Sequence, residues 1–372
     1  MVNFIIFEDS SKSKFGGGQK VSFELINILK RNSFNISLID FTSKSNFYIE
    51  SNNIVQDSLV LTTFNFHKKS IQNSFTFSNL EIIFNLVFFP FNLYKILRFL
   101  KRLPLNSKTI LICPTKKTLI YGLVIKLLIP KLFLIFHVHN YLNRHYLWSR
   151  FMKIVINYTN DNWFVSSTVK SSYGHYAKGN IIYNPIELIF KEKAVQRNNE
   201  VNIGLVANLL GYKGIKYFIK SYDYLKTDIS NKIIYNIYGD GPEKNELMSM
   251  SSQNRNILFH GFLSEKEFYS QIDVLVCPSI QEEAFSLVIF EATQNSIPVI
   301  ATNLKVHKEF FSNNSLLFVD VKSELDIANA ISNILNNEDL KYNLVYNAQN
   351  DLLTKFKISF ESKILNTCKG YF

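Results

Sequence analysis

Short apolar runs alternate with stretches of helical periodicity through the first half of the chain. The runs at 2–7, 36–41, 59–63, 109–113, 132–138, 163–166 and 181–183 have the length and the β-branched and aromatic content of strands. Apolar positions at helical spacing fill most of the intervals, as at 21–29 and 119–129. The polar span 187–201, with Asn198-Asn199 inside it, reads as a linker. A second alternation follows, with strands at 202–207, 233–238, 257–259, 274–277, 299–301 and 316–319. Alternation of this kind predicts parallel sheets wrapped by helices, and two such series predict two α/β domains, 1–186 and 187–354.

Two segments invite comparison with a membrane span. The stretch 80–100 contains Glu81, Asn85, Pro90, Asn92, Lys95 and Arg98, and 119–139 is broken by Lys126 and by Pro130-Lys131. Neither is an uninterrupted run of about 20 apolar residues. The run 2–7 is too short for a signal peptide and lacks a basic lead, so it reads as the first strand. A chain of 372 residues that is 47% hydrophobic can bury a large core divided between two domains. Its net charge of +11 points to a negative partner: anionic lipid headgroups, a phosphorylated substrate or nucleic acid. No nucleic-acid motif is present, so nucleic acid ranks last. Three widely spaced cysteines, Cys113, Cys277 and Cys368, suit a reducing cytoplasm better than a disulfide framework.

The densest chemistry lies at 278–298, PSIQEEAFSLVIFEATQNSIP. A buried strand ending at Cys277, followed by a helical pattern over 285–294, puts Glu283 in the loop at the strand's carboxyl end. Glu291 then falls eight residues on, in the helix. Open α/β sheets bind ligands at that edge, and a helix N-terminus there offers free amides to a phosphate. Ala284, Phe285, Ser286 and Leu287 form a candidate diphosphate cradle, and the two carboxylates are candidate partners for sugar hydroxyls. For two isolated glutamates a solvated loop and an exposed helix face would be the commoner explanation. The flanking residues reverse that preference.

With Pro278, Ser279, Glu283, Phe285, Leu287, Glu291 and Ala292 in place, the stretch resembles the E-x7-E signature of the retaining, nucleotide-sugar-dependent glycosyltransferases of family 4, which have the GT-B fold. Ser286 stands where the family has glycine. VANLLGYKGIKYF, with Lys213-Gly214, resembles the family's phosphate-binding segment, but Asn208 and Leu210 occupy positions where an arginine is usual. YGDGPEKNEL resembles the turn near the nucleotide base through Gly239, Gly241 and Pro242, with Asp240 a candidate cap for a helix from Pro242. Gly261 and Phe262 match as well. PVIATNLKVHKEF aligns with Lys305-Val306 in place of a glycine pair, either approaching a phosphate or closing the loop, and with Glu309 retained. In the first half, Gly16-Gly17-Gly18 is similar to the family's glycine loop, although a glycine turn made only for chain reversal is about as common. His137 and His139 share one face of the strand at 132–138 by alternation. The family has a histidine beside the donor sugar at this point; His139-Asn140 is the more similar pair, and the register stays open.

The resemblance implies two Rossmann-like domains facing across a cleft, the first (1–186) binding the acceptor and the second (187–354) the donor, with the last helix (355–372) packing back on the first. It implies a hexosyltransferase-like enzyme that moves a sugar, with retention, from a nucleotide diphosphate sugar to a glycan or lipid-linked acceptor in the assembly of capsule, lipopolysaccharide or exopolysaccharide. The catalytic candidates are Glu283, His139, His137 and Lys213. The donor-binding candidates are Gly16, Gly17, Gly18, Asn208, Gly239, Gly241, Ala284, Phe285, Ser286, Leu287 and Glu291. Glu283 would orient the donor sugar, Glu291 the ribose, and Lys213 would neutralise the diphosphate. With no D-x-D pair, neither a metal nor a cofactor is expected. A nucleotide-sugar epimerase and a non-catalytic binding subunit are the rival readings. Lys95, Arg98, Lys101 and Arg102, set among apolar residues, are either a solvated helix face or a contact with anionic membrane at the inner face of the cell membrane.

Overall fold

The structure, a computed structural model, describes residues 2–10, 17–63, 74–103, 109–142, 147–174, 177–186, 188–192, 200–225, 232–263 and 265–371. The chain divides into two compact units, Met1–Pro185 with Phe360–Phe372, and Ile186–Ser359.

The first unit is built on strands β1 (Asn3–Phe7), β2 (Asn35–Asp40), β3 (Asp57–Val60), β4 (Thr109–Cys113), β5 (Phe133–Val138), β6 (Asp161–Phe164) and β7 (Asn180–Ile181). They pair in parallel in the order β3-β2-β1-β4-β5-β6-β7. Its helices are α1 (Gly17–Arg31), α2 (Asn46–Asn52), α3 (Ser74–Leu100), α4 (Lys116–Leu128), α5 (Leu147–Val155) and α6 (Ser167–Tyr173). β1 is buried along its whole length, because helices cover both faces of a parallel sheet; that is why it reads as a continuous apolar run. Phe4 and Ile6 pack with Leu25 and Leu29 of α1 and with Ile36, Ile110 and Ile135 of neighbouring strands.

Several strands end earlier than the apolar pattern predicts, and for β3 and β6 a side chain accounts for it. Beyond β3, Asn92 of α3 takes over the strand's backbone bonding, accepting from Thr62 N (2.9 Å) and donating to Thr62 O (2.7 Å). After β6, Ser166 leaves the sheet to cap α6, its hydroxyl accepting from Val169 N at 3.1 Å. Local apolar character cannot anticipate either capture, since both depend on a side chain's reach.

The second unit holds β8 (Val201–Val206), β9 (Ile233–Tyr238), β10 (Ile257–Gly261), β11 (Val274–Cys277), β12 (Val299–Thr302) and β13 (Leu317–Val319), all parallel, in the order β10-β9-β8-β11-β12-β13. Its helices are α7 (Ile215–Ser221), α8 (Lys244–Met250), α9 (Glu265–Tyr269), α10 (Leu287–Gln294), α11 (Lys305–Phe310), α12 (Glu324–Leu335) and α13 (Glu338–Lys355). Ile203, Ile237, Val276 and Ile300 of the sheet pack with Phe218 of α7 and Ile331 of α12. Part of the expected linker is fastened to this unit: Lys191 N donates to Gln294 O, and Ser296 Oγ donates to Lys191 O, each at 2.7 Å. Glu187 and residues 193–199 lie outside the described residues. The last helix, α14 (Phe360–Lys369), belongs to the first unit, where Ile364 and Cys368 join the core and Trp163 Nε1 donates to Tyr371 at 2.9 Å.

In both sheets the strand order reverses beside the founding strand, between β1 and β4 and between β8 and β11. Such switch points leave a crevice at the carboxyl ends of the two strands, where open α/β sheets bind ligands. Among the described residues no helix is long and apolar enough to cross a membrane.

Candidate functional site

The β8/β11 switch point assembles the second unit's chemistry. The chain leaves β8 through Asn208 and a single 3₁₀ turn, Gly211–Lys213, and then passes Gly214 in the left-handed region at φ 69°. A side chain at Gly214 would overlap the Pro278 carbonyl oxygen, so only glycine permits this approach. Ile280 N donates to Tyr212 O at 2.8 Å, tying the β8 loop to the β11 loop. Those two constraints bring Lys213 Nζ to 2.6 Å from Glu283 Oε2, with side chains only 19% and 10% exposed. Ser279 Oγ donates to the other carboxylate oxygen. Burial, the largest single influence, pushes the Lys213 ammonium down, but the charge and hydrogen bond of Glu283 together with Cys277 and Tyr212 turn the net shift upward. The pair is therefore a fixed cation beside an oriented carboxylate.

Glu291 lies on α10, where the buried Tyr269 hydroxyl donates to its Oε2 at 2.8 Å. That helix begins at Leu287, so Phe285 and Ser286 precede it, two residues later than the expected start. Ser286 sits at φ −100° and ψ 73°, outside the left-handed region, and serine takes the place of a glycine without backbone strain. Its hydroxyl makes no bond to the amides of α10. Phe285 stacks on Phe290 with centroids 4.5 Å apart, and Ala284 is half-buried. Gly239, at φ 133°, donates its amide to Gly261 O at 2.7 Å, and a side chain there would strike the Ala207 carbonyl. Gly239 and Gly241 at the end of β9 thus lie against the exit of β8, where Asn208 is exposed.

Two expectations need correction. Asp240 does not cap a helix from Pro242: α8 starts at Lys244, and Asp240 Oδ1 instead accepts from Gly241 N at 2.8 Å, which shapes the turn. Lys305 and Val306 do not form a loop: they open α11, where the carboxylate oxygens of Glu282 accept from Lys305 N (2.9 Å) and Val306 N (3.2 Å). Glu282, Tyr269, Thr302 and His307 all hold site residues in place, and none was singled out from sequence.

In the first unit, His137 is fully buried at the end of β5, and the half-buried His139 lies beside it with ring centroids 4.1 Å apart. Trp163 meets His137 edge-on at 5.8 Å. Among the described residues, neither the two buried ring nitrogens of His137 nor the buried Nε2 of His139 has a hydrogen-bond partner. Burial pushes His137 well below its ordinary value of 6.5 and His139 down to about 4. Both rings are therefore neutral at pH 7, and His137 has no surface to present to a ligand. Gly16 lies outside the described residues; Gly17 is described as the first residue of α1, and the space beside Gly18 is open.

Two carboxylates sit at the ends of β1 and β2. Glu8, 3% exposed, accepts from Ser22 Oγ (2.6 Å) and Asp9 N (3.1 Å), and burial raises it to about 8. Asp40 accepts from Ser10 N (3.0 Å) and Phe41 N (2.6 Å), and burial raises it to about 6. Asp9 pairs with Lys117 at 3.2 Å across the β1/β4 switch point. Among the described residues no group of three or more His, Cys, Asp or Glu is placed to hold a metal ion, and the three cysteines are free and buried.

Residues 187–351 match the family model described as glycosyl transferases group 1. The chain is 34% identical over 202 residues to the O-antigen biosynthesis glycosyltransferase WclY of Escherichia coli, a match covering 50% of this chain and 53% of that protein. The chain thus spans about half the length of the curated relatives it matches. Two solved structures superpose on it over their full length. HepE of Anabaena, crystallised with UDP and glucose, has a TM-score of 0.76 at 16% identity, with 100% of both chains covered. The apo lipopolysaccharide outer core galactosyltransferase WaaB has 0.73 at 16%, again with 100% of both covered. These neighbours are GT-B glycosyltransferases, and the fold of this chain, two parallel-sheet α/β domains, is GT-B.

Proposed function

We propose that the chain is a retaining glycosyltransferase that transfers a sugar from a nucleoside diphosphate sugar to an acceptor hydroxyl in surface-polysaccharide assembly. The observation that carries this reading is the Lys213–Glu283 pair at the β8/β11 switch point, inside the segment matching the group 1 model. Breaking the donor's anomeric bond puts negative charge on the departing diphosphate. Lys213 supplies a fixed positive charge for it, together with the amides of Leu287 and Val288 that open α10. Glu283, held by Ser279 and Lys213, accepts from a sugar hydroxyl, while Glu291 receives the ribose. His139, whose affinity for a proton is lowered by burial, is a poor base, and no catalytic proton transfer is assigned to it. The departing phosphate oxygen takes the acceptor proton, so the reaction needs neither a protein base nor a metal. The first unit binds the acceptor.

Structures of HepE contain UDP, UDP-glucose, or UDP with glucose, which makes uridine diphosphate sugars the first donors to try. In a thermal-shift screen of UDP-glucose, UDP-galactose, UDP-N-acetylglucosamine, GDP-mannose and ADP-glucose, at least one is expected to raise Tm and to be hydrolysed slowly without acceptor, EDTA notwithstanding. No shift with any of them would overturn the reading, as would acceptor-free epimerisation or a strict requirement for manganese.

The same reading includes contact with an anionic bilayer through α3. Val87 (67% exposed), Phe91 (51%) and Tyr94 (61%) share one stripe with exposed Arg98, Lys101 and Arg102, while Asn92, Ile96 and Leu100 are buried on the other side. Lys95 departs from the expected set: its Nζ lies over the Phe91 ring at 4.5 Å and within 3.4 Å of Thr62 Oγ1. Three cations at about 1 kcal/mol each near a negative surface predict that changing all three to glutamate lowers vesicle binding by about 100-fold or more. Cosedimentation with anionic vesicles at low salt would measure this, and wild-type binding should fade toward 1 M salt. Equal binding by variant and wild type, or equal binding to neutral vesicles, would remove membrane contact and leave a soluble acceptor.

A further inference from the structure

His307 on α11 is 1% exposed, and through Ser286 and Thr302 it joins both ends of the loop that carries Glu283. Its Nδ1 lies 2.7 Å from the Thr302 carbonyl oxygen and its Nε2 lies 3.0 Å from Ser286 Oγ. A carbonyl only accepts, so Nδ1 carries the proton; the neutral ring then leaves Nε2 as an acceptor, and the Ser286 hydroxyl must donate to it. Burial, which lowers the affinity of His307 for a second proton, keeps the ring in that form. At the other end of the loop, Thr302 Oγ1 donates to Ser279 O at 2.7 Å, and Ser279 Oγ donates to Glu283. The loop from Ser279 to Ser286 is thus tied at its start through Thr302 and at its end through the imidazole, with Glu283 between the two ties.

We propose that His307 is a positioning residue for Glu283: its single tautomer clasps the two ends of the 279–286 loop and so fixes the carboxylate and the start of α10. Ser286, standing where the resembling family has glycine, is the partner that makes the clasp possible. The role rests on the donor-site reading above, but the clasp itself does not. Glutamine can reproduce the Nε2 acceptor toward Ser286, whereas leucine removes both bonds and strands the Ser286 hydroxyl and the Thr302 carbonyl.

Hydrogen–deuterium exchange on the ligand-free full chain tests the clasp. In His307→Leu, amides of residues 280–290 should exchange about tenfold faster or more, with α12 unchanged. Ser286→Ala should reproduce most of this, the double variant should be no faster than His307→Leu, and His307→Gln should restore near-wild-type protection. In the same variants, kcat for UDP-glucose hydrolysis, or for the best donor of the screen, should fall about tenfold in His307→Leu with KM little changed, and recover in His307→Gln. Wild-type exchange at 280–290 in His307→Leu, acceleration spread evenly over the unit, or a loosened loop with unchanged kcat would each overturn the proposal. If the wild type binds no nucleotide sugar, the donor-site reading falls, and with it the catalytic role assigned to His307.

Discussion

Replacing Lys213 by alanine, or Glu283 by glutamine, is expected to lower sugar transfer at saturating donor by about two to three orders of magnitude. The size follows from what a fixed charge or donor aimed at a developing anion contributes, roughly 3–4 kcal/mol. Lys213 meets that description, because Gly214 and the Tyr212–Ile280 bond hold its loop against Pro278 and Nζ is already 2.6 Å from Glu283. The two variants fail differently. Alanine at 213 leaves a mostly buried carboxylate without its cation and destabilises the unit, so turnover must be normalised to folded protein. Glutamine at 283 keeps the shape and the Ser279 contact but removes the charge, and should bind nucleoside diphosphate while losing kcat. Steady-state kinetics beside thermal unfolding check both, and wild-type turnover in the pair would discard the site assignment.

The second large effect is on stability and runs against the usual carboxylate trend. Burial raises Glu8 from 4.5 to about 8 and Asp40 from 3.8 to about 6, which adds protons to the folded first unit, while the lowered His137 and His139 remove them below about pH 6.5; from there to pH 8 the excess of Glu8 stands uncancelled. Stability must then fall as pH rises from about 6.5 to 8 and level off above that. Each tenfold difference in proton affinity between folded and unfolded chain is worth about 1.4 kcal/mol, so Glu8 alone accounts for up to about 4 kcal/mol lost by pH 8. Glu8→Gln keeps an oxygen for Ser22 and cannot ionise, so it should be close to neutral at pH 5 and strongly stabilising at pH 8. Both tryptophans, Trp148 and Trp163, lie in the first unit, so their fluorescence during urea unfolding at pH 5, 6, 7 and 8 reports that unit separately. A wild-type stability that rises between pH 7 and 8, or an unchanged slope in the variant over that interval, would contradict the assignment.

How far local pattern reached is clear from particular elements. Thr109–Cys113 and Ile233–Tyr238 could be delimited from the sequence because each is buried between layers and bounded by polar residues, so its apolar content ends where the strand does. Asp57–Val60 and Asp161–Phe164 could not, because Asn92 and the Ser166 cap redirect their ends. The placement of Glu283 in a loop after a buried strand, and of Glu291 in the helix beyond it, was likewise written in short-range periodicity.

What the chain determined by itself, then, is the succession of strands and helices and the residue types at their ends, since periods of two and 3.6 are properties of a few consecutive residues. Strand order and partnership were decided only by the fold. Lys213 and Glu283 are 70 positions apart and meet because parallel crossovers put β8 beside β11 and glycine lets two loops touch. The same holds for His307 reaching back to Ser286, and for Lys95 turning onto Phe91 while its neighbouring cations stay exposed. A hydrogen bond or ion pair depends on distances of about 3 Å between atoms. Those distances exist only once the layers have packed, and nothing in local hydrophobic spacing encodes them.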